Sequence, residues 1–169
     1  TSNIRICRKK IIKNVLINVF CNYYIEQEPQ NCYVAADEKG QVIGYILCAI
    51  NFDVWKENFR KTYLKKSNNP VTRLIGEGTI RGMQDFSKEF PAHLHIDIMP
   101  EFQGHSIGSE LMKALINHLR GLKIKGLMLS VGADNCRGIH FYQKNGFQEL
   151  HKGKREVLMG MRLRDNTIV

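Results

Sequence analysis

The stretch HLHIDIMPEFQGHSIGSELMKAL, residues 93–115, carries the clearest local pattern in the chain. Polar and apolar residues alternate until Pro100 stops the run, which predicts a β-strand at 93–99. From residue 106 onward, apolar residues recur every three or four positions, which predicts a helix at 106–122. The two elements are joined by a short turn that contains glycine. This order of strand, turn and helix directs the interpretation of the whole chain.

The turn at 103–108, QGHSIG, has the features of an anion-binding loop. The first amides of a helix have no partners within the helix, and the helix dipole is positive at that end. Glycine lets the backbone approach an anion closely. The spacing of Gly104 and Gly108, however, fits neither the Walker loop nor the dinucleotide fingerprint. Spacing alone therefore leaves two interpretations open, a phosphate-binding loop and a plain change of direction.

Length and composition indicate one globular domain that covers residues 1–169, with 43% apolar and 24% charged residues. The longest apolar runs, such as YILCAI at 45–50, are too short to span a bilayer, so no membrane partner is expected. The start of the chain lacks the apolar core of a signal peptide. Five cysteines, an odd number without metal-ligand spacing, predict free thiols. We therefore expect a cytoplasmic protein without a metal.

A net charge of +9 suits an anionic partner. The basic residues are scattered over three distant stretches, at 5–13, 56–66 and 152–155, and aromatic residues are not interleaved with them. This distribution is typical of a solvated basic surface, so no nucleic-acid partner is expected. The charge also disfavours a polycationic substrate such as spermine, unless a local acidic cleft overrules it.

Periodicity divides the remaining chain into further elements. The predicted strands are 3–8, 32–38, 42–50, 93–99, 126–132, 147–150 and 155–163. The predicted helices are 11–27, 53–66, 106–122 and one that begins at 135 and is ended by Asn145-Gly146. The second and third strands should form a hairpin. The region 71–91 is interpreted as a loop or short helical segment, and its glycine-rich part GEGTIRG, 76–82, as a flexible loop. The order predicts an α/β fold with a mixed sheet and helices on both faces.

Two segments resemble the sequence signatures of the GNAT acetyltransferases. In the first, [RQ]-x-x-G-x-[GA], Gln103 and Gly108 match the ends, and Ser106 stands where the family has glycine. The second signature is N-x-x-[AG]-x-x-x-Y-x-x-x-G-F, which NCRGIHFYQKNGF matches through Asn135, Gly138, Tyr142, Gly146 and Phe147. The resemblance implies the GNAT fold, with a mostly antiparallel sheet of six or seven strands that contains a splayed parallel pair.

Within the family, AHLHID at 92–97 and FRKTYL at 59–64 are similar to bacterial acetyltransferases that resemble the C-terminal domain of O-GlcNAcases. That fold persists in some relatives without evident catalysis. The alternative to an enzyme is therefore a catalytically silent module that binds CoA or another protein.

The resemblance implies acetyl-CoA as the co-substrate. The residues expected to bind it are Ile98, Met99, Gln103, Gly104, His105, Ser106, Ile107, Gly108, Ser109, Asn135 and Tyr142. The turn amides would hold the pyrophosphate, and the backbone of Ile98 and Met99 would pair with the pantetheine arm. Tyr142 would also protonate the departing thiolate, a task suited to a phenol that is neutral at pH 7.

Amine acetylation also needs a base, and one strand offers candidates. Alternation places His93, His95 and Asp97 on one face of the strand 93–99, which suggests a wet cleft because a covered central strand is normally apolar. His95 and Asp97 are the candidate bases. The structural alternative is that these residues only order the cleft or hydrogen-bond to neighbouring loops. A metal site is disfavoured, because alternate positions spread the ligands along the strand.

The sequence thus predicts an acetyl-CoA-dependent N-acetyltransferase in which a neutral primary amine attacks the thioester directly. The acceptor is a small molecule or a peptide, and the protein is a monomer or a homodimer. Pocket shape, and with it the acceptor, does not follow from spacing.

Overall fold

The structure is a computed structural model, and it describes residues 21–65 and 67–163. The predicted strand 3–8 and residues 11–20 of the first predicted helix lie outside this part. The strands are β1 (Tyr33–Ala36), β2 (Val42–Ala49), β3 (Ala92–Ile98), β4 (Gly126–Gly132), β5 (Gln148–Lys152) and β6 (Glu156–Arg162). The α-helices are α1 (Asn22–Gln27), α2 (Phe52–Asn58), α3 (Pro70–Gln84), α4 (Ile107–Gly121) and α5 (Cys136–Lys144). Short 3-10 turns occupy Pro29–Asn31 and Pro100–Phe102.

The six strands form one sheet in the order β1-β2-β3-β4-β6-β5. All neighbours are antiparallel except β3 and β4, and the predicted hairpin of β1 and β2 is confirmed. The parallel strands pair only at Ala92 with Leu127 and at His93 with Met128. Beyond these pairs the two strands run on without a shared ladder. The mixed, mostly antiparallel sheet with one parallel pair confirms the predicted fold class.

Helices cover both faces of the sheet, as predicted. On one face, here called the α1–α3 face, Tyr24, Trp55 and Ile80 pack on inward residues of the strands. On the opposite α4–α5 face, Leu111 and Leu115 of α4 are fully or almost fully buried. The two cores are separated by the sheet itself, so each face of β3 meets a different set of helices.

The predicted helix at 53–66 is confirmed from Phe52 to Leu64, and its winding changes along its length, while residue 66 lies outside the described residues. It begins as α2 and continues as a π-helical segment, Phe59–Leu64. The rings of Trp55 and Phe59 stack with centroids 4.9 Å apart, and Tyr63 lies 5.9 Å from Phe59. These three aromatic residues, spaced four positions apart, therefore lie on one side of the helix.

The interpretation of 76–82 as a flexible loop is wrong. The whole segment lies inside α3, whose first residue is Pro70 and whose N-cap is Asn69. The Asn69 side chain accepts a hydrogen bond from the Val71 amide at 2.9 Å. Asn followed by Pro is a strong helix start, because Asn caps the free amides and Pro needs no amide partner at the first position.

Candidate active site

The turn at 103–108, here called the cradle, connects β3 to α4 through two left-handed residues. Gly104 has φ 85°, and Ser106 has φ 63° and ψ −2°. Ser106 is also the N-cap of α4, although its hydroxyl makes no capping hydrogen bond. The cradle therefore sets the backbone geometry at the positive end of the α4 dipole.

A cavity of about 410 Å³ lies between β3, the cradle and the helices α4 and α5. It brings together all the predicted site residues except His95, Met99 and His105. The predicted residues that line it are Asp97, Ile98, Gln103, Gly104, Ser106, Ile107, Gly108, Ser109, Asn135 and Tyr142. Residues of β3 and α5, which are distant in sequence, thus line the same cavity.

Ile98 and Met99, the two residues predicted to pair with pantetheine, direct their backbone groups to opposite sides at the end of β3. The Met99 amide donates to the Ile43 carbonyl at 2.9 Å, and the Met99 carbonyl accepts from the Phe102 amide at 2.9 Å. Successive residues of a strand direct their backbone groups to opposite sides, so those of Ile98 point away from β2, toward the gap beside β4. The Gln103 side-chain amide donates to the Ile98 carbonyl at 3.0 Å. Gln103 therefore ties the cradle to the strand.

Tyr142 and Asn135 reach the cavity from α5. The Asn135 side chain caps the helix by accepting from the Gly138 amide at 2.9 Å. Burial, with a smaller contribution from the charge of Asp97, raises the pKa of Tyr142 to about 12. The phenol therefore stays protonated at neutral pH and can donate a proton into the cavity.

The GNAT acetyltransferase family model matches residues 11–147, more than half of the chain. This chain belongs to the GNAT acetyltransferase family. Its relatives include the spermine/spermidine N(1)-acetyltransferase of Bacillus subtilis (strain 168), 44% identical over 48 residues. That match spans 28% of this chain and about a third (32%) of the relative.

Solved structures show the same GNAT fold. The structure titled SsHAT has a TM-score of 0.80 at 24% identity and covers 89% of this chain and 81% of that chain. Chaetomium thermophilum Naa20, in complex with a bisubstrate analogue, has a TM-score of 0.56 at 19% identity, with 94% and 83% covered. At these identities the likeness concerns the fold.

In this GNAT domain, Asp97 lies where β3 passes the cavity, and it is exposed. It also faces Tyr45 across the β2–β3 ladder. Burial, and then the charges of Cys21 and Asp97, raise the pKa of Tyr45 to about 12. The carboxylate thus acts electrostatically on Tyr142 at one side and on Tyr45 at the other.

The two histidines of β3 are placed differently from Asp97. His93 is fully buried, and its ring centroid lies 4.5 Å from that of Trp55 and 5.6 Å from that of Tyr24. Burial, with a contribution from His95, lowers the pKa of His93 to about 3, and burial lowers that of His95 to about 4. The expectation of a wet cleft along this face is therefore wrong at His93. Both rings are neutral at pH 7, and His95 is a weak proton acceptor.

Sequence reasoning missed six residues that line the cavity. They are Ile96, Phe102, Arg137, Gly138, Phe141 and Lys144. Helical spacing could have found two of them, because Gly138 lies four positions from Tyr142 and Phe141 lies three positions from Gly138, on one side of α5. A side chain at Gly108 would meet the ring of Phe141, since an added Cβ would lie 3.1 Å from it. Gly108 thus allows α5 to approach the cradle closely.

Among residues 21–65 and 67–163, the structure contains no group of three or more His, Cys, Asp or Glu side chains that could hold a metal ion. Within the same described part, every helix is too short or too polar to cross a bilayer.

Proposed function

We propose that this protein is an acetyl-CoA-dependent N-acetyltransferase that acetylates a primary amine by direct attack of the neutral amine on the thioester. The observation that carries the proposal is the shared cavity. It joins an anion-binding cradle, a neutral phenol on Tyr142 and a carboxylate on Asp97, beside the divergence of two parallel strands. A single domain over residues 1–169 is part of the proposal.

The residues of the cavity fit CoA. Left-handed backbone at Gly104 and Ser106 opens the turn, and an added Cβ at Gly104 would have no atom within 4 Å, so the space beside the cradle is free. The amides of such a turn and of a helix N-terminus suit a pyrophosphate. The backbone of Ile98 is the group that faces the gap, and it would pair with the pantetheine arm more readily than that of Met99. When bound, acetyl-CoA supplies the acetyl group as an activated thioester.

Proton transfer falls to two residues of the chain. Tyr142 donates its phenolic proton to the leaving sulfur, and its raised pKa keeps that proton in place at every pH of interest. Asp97 accepts the proton of the amine, directly or through water. His95 is the less suitable base, because its pKa is well below neutral pH.

The acceptor we propose is a small cationic amine. The curated relatives that match part of this chain are named for spermine and spermidine. The net charge of +9 disfavours binding of such polycations, but negatively charged side chains lie on the α1–α3 face. Glu156 of β6 lies on the same face as Asp97, and the Ser130 hydroxyl donates to its carboxylate at 2.6 Å. A carboxylate on that face favours a cationic acceptor over an anionic one.

The test is replacement of Tyr142 by Phe. General-acid catalysis contributes on the order of 100- to 10,000-fold, so kcat should fall by about that factor. Acetyl-CoA affinity, measured by calorimetry, should change less than about twofold, because the ring remains. Tyr33→Phe on β1, outside the cavity, is the matched control. An amine panel of spermidine, a monoamine and a peptide N-terminus reports the acceptor.

Two results would overturn the proposal. Wild-type turnover in Tyr142→Phe would remove the phenol as proton donor. Binding of acetyl-CoA without release of free CoA on any amine would instead favour the catalytically silent module. Ser106 favours that alternative, because it occupies a left-handed position where the family signature has glycine.

A further inference from the structure

A second cavity, of about 320 Å³, lies between the π-helical segment Phe59–Leu64 and α3. It shares no lining residue with the cavity beside the cradle. Three cations, one carboxylate and one apolar side chain line it, namely Arg60, Lys65, Arg73, Glu77 and Leu64. The cations exceed the carboxylate by two charges, so the second cavity suits an anion.

The winding of the π-helical segment places two of these cations on one side. Backbone hydrogen bonds of a π-helix join residues five positions apart, and here the Lys65 amide donates to the Arg60 carbonyl at 2.9 Å. Arg60 and Lys65 therefore lie about one turn apart on the same side of the segment. Arg73 and Glu77, four positions apart, share one side of α3. Together these four residues form a charged lining that the two helical elements build jointly.

Both guanidinium groups of this lining are anchored through the same two nitrogen atoms. Arg60 donates from Nε and Nη2 to the Glu77 carboxylate, at 3.0 and 2.7 Å. Arg73 donates from Nε to the Ser67 carbonyl at 2.9 Å and to the Leu64 carbonyl at 3.3 Å, and its Nη2 donates to a third carbonyl at 3.5 Å. In the part of the chain that the structure describes, Nη1 of each arginine makes no hydrogen bond. Each fixed guanidinium thus retains donors for a ligand.

The carboxylate of Glu77 leaves most of the positive charge uncompensated. Hydrogen bonds from Arg60 lower the pKa of Glu77 against the opposing effect of burial, so the carboxylate is ionised and bound to Arg60. Arg81, one turn further along α3, also lowers this pKa through its charge. Lys65 and Arg73 form no ion pair with any Asp or Glu side chain in the described ranges. Their charges are therefore available to a bound anion.

We propose that the second cavity binds a small phosphate monoester, which takes its hydrogen bonds from Arg73, Lys65 and Nη1 of Arg60. A phosphate has three terminal oxygens, and planar guanidinium groups supply charge-assisted hydrogen bonds to them. The anchored arginines lose little side-chain entropy on binding, which favours affinity. A volume of 320 Å³ falls at the lower end of the range of small-ligand sites, about 300–1,000 Å³, and leaves room for an organic group beside Leu64. The inference does not depend on the proposed function.

The test is calorimetric titration with glycerol 3-phosphate and with succinate, a dicarboxylate, at constant ionic strength. Wild type should bind glycerol 3-phosphate at least about tenfold more tightly than succinate. Lys65→Gln and Arg73→Gln should each weaken binding of the phosphate ester about tenfold, the typical effect of losing a hydrogen bond to a charged group. Lys113→Gln, exposed on α4 and outside both cavities, is the matched control for net charge and should leave this affinity unchanged.

The variants separate the second cavity from other sites for phosphate, including the cradle. Unchanged affinity in Lys65→Gln and Arg73→Gln would place the ligand elsewhere and overturn the inference, as would the absence of binding to wild type. An equal loss in Lys113→Gln would reduce the effect to net charge, and equal binding of succinate would remove the preference for phosphate. Arg73 also anchors backbone carbonyls, so urea denaturation checks the folding of its variant. The Lys65 side chain makes no hydrogen bond or ion pair to the described residues, so Lys65→Gln tests the site in a folded protein.

Discussion

Two glycine-bearing segments of this chain have opposite structures. QGHSIG at 103–108 is a turn with positive φ at Gly104 and Ser106, and it lines the candidate CoA cavity. GEGTIRG at 76–82 has more glycine, yet it is continuous α-helix within α3. Glycine content is therefore a poor guide to loops in this chain, and the residues before each segment decide its structure.

The preceding residues differ in a physically simple way. The cradle follows β3 and the 3-10 turn Pro100–Phe102, whereas α3 starts at Pro70 with Asn69 as its N-cap. Gly76 serves a different purpose from Gly104, because the side chains of Leu64 and Phe59 press against its backbone. An added Cβ at Gly76 would lie 2.5 Å from Leu64 Cδ2 and 3.1 Å from Phe59 Cε1. One glycine allows a turn, and the other allows close packing.

The largest effect is expected for Gly76→Val. A valine side chain has no room beside Leu64 and Phe59, so the free energy of unfolding should fall by about 1–3 kcal/mol, the usual result of overpacking. Urea denaturation measures the change. CoA affinity of the folded variant should stay within about twofold, because Gly76 lies outside the cavity.

Gly78→Val is the matched control, in the same helix but with no atom within 4 Å of an added Cβ. It should change stability by less than about 1 kcal/mol, since an exposed helix position has room and only propensity is altered. Equal destabilisation by the two variants would contradict the packing role of Gly76.

Most of the fold could be predicted from the sequence, because its strands and helices have strong periodicity and caps. The helix α4 was predicted to begin within one residue of its observed start, and the hairpin of β1 and β2 was predicted from the apolar runs and Gly40. The helix α3 was only one of two alternatives for 71–91, because its start at Asn69-Pro70 closely follows the predicted helix at 53–66. The same two residues can end one helix and begin the next.

The site was harder to predict, because alternation along a strand shows which residues share a face but not what covers that face. His93 and Asp97 share one face of β3, yet Trp55 and Tyr24 bury His93 and leave Asp97 exposed. Burial of that kind depends on helices distant in sequence. Arg137 and Lys144 escaped notice for a related reason, since only the packing of α5 against the cradle turns them toward the cavity.

A smaller effect is expected at the cradle itself, for Ser106→Gly. The left-handed backbone at Ser106 costs on the order of 1 kcal/mol for a residue with a side chain. This conformation belongs to the folded backbone, so its strain opposes folding. Its relief should therefore raise the free energy of unfolding by about 1 kcal/mol or less, with CoA affinity unchanged. Urea denaturation and calorimetry on the same variant measure both.

A loss of CoA affinity of tenfold or more in Ser106→Gly would show that the hydroxyl itself binds the cofactor. In that case the serine would be a functional replacement of the family glycine rather than a strained one.

The smallest effect is expected for Gly78→Ala, and it tests the helical state of the glycine-rich segment directly. An exposed glycine inside a helix is less favourable than alanine by about 0.5–1 kcal/mol, because glycine loses more backbone entropy on folding. The free energy of unfolding should rise by that amount, since Gly78 has a helical backbone and open space around it. A flexible loop at 76–82 would show no gain from alanine. The sign of this change therefore distinguishes the two structures of the segment, and it does so without reference to the cavity or its ligand.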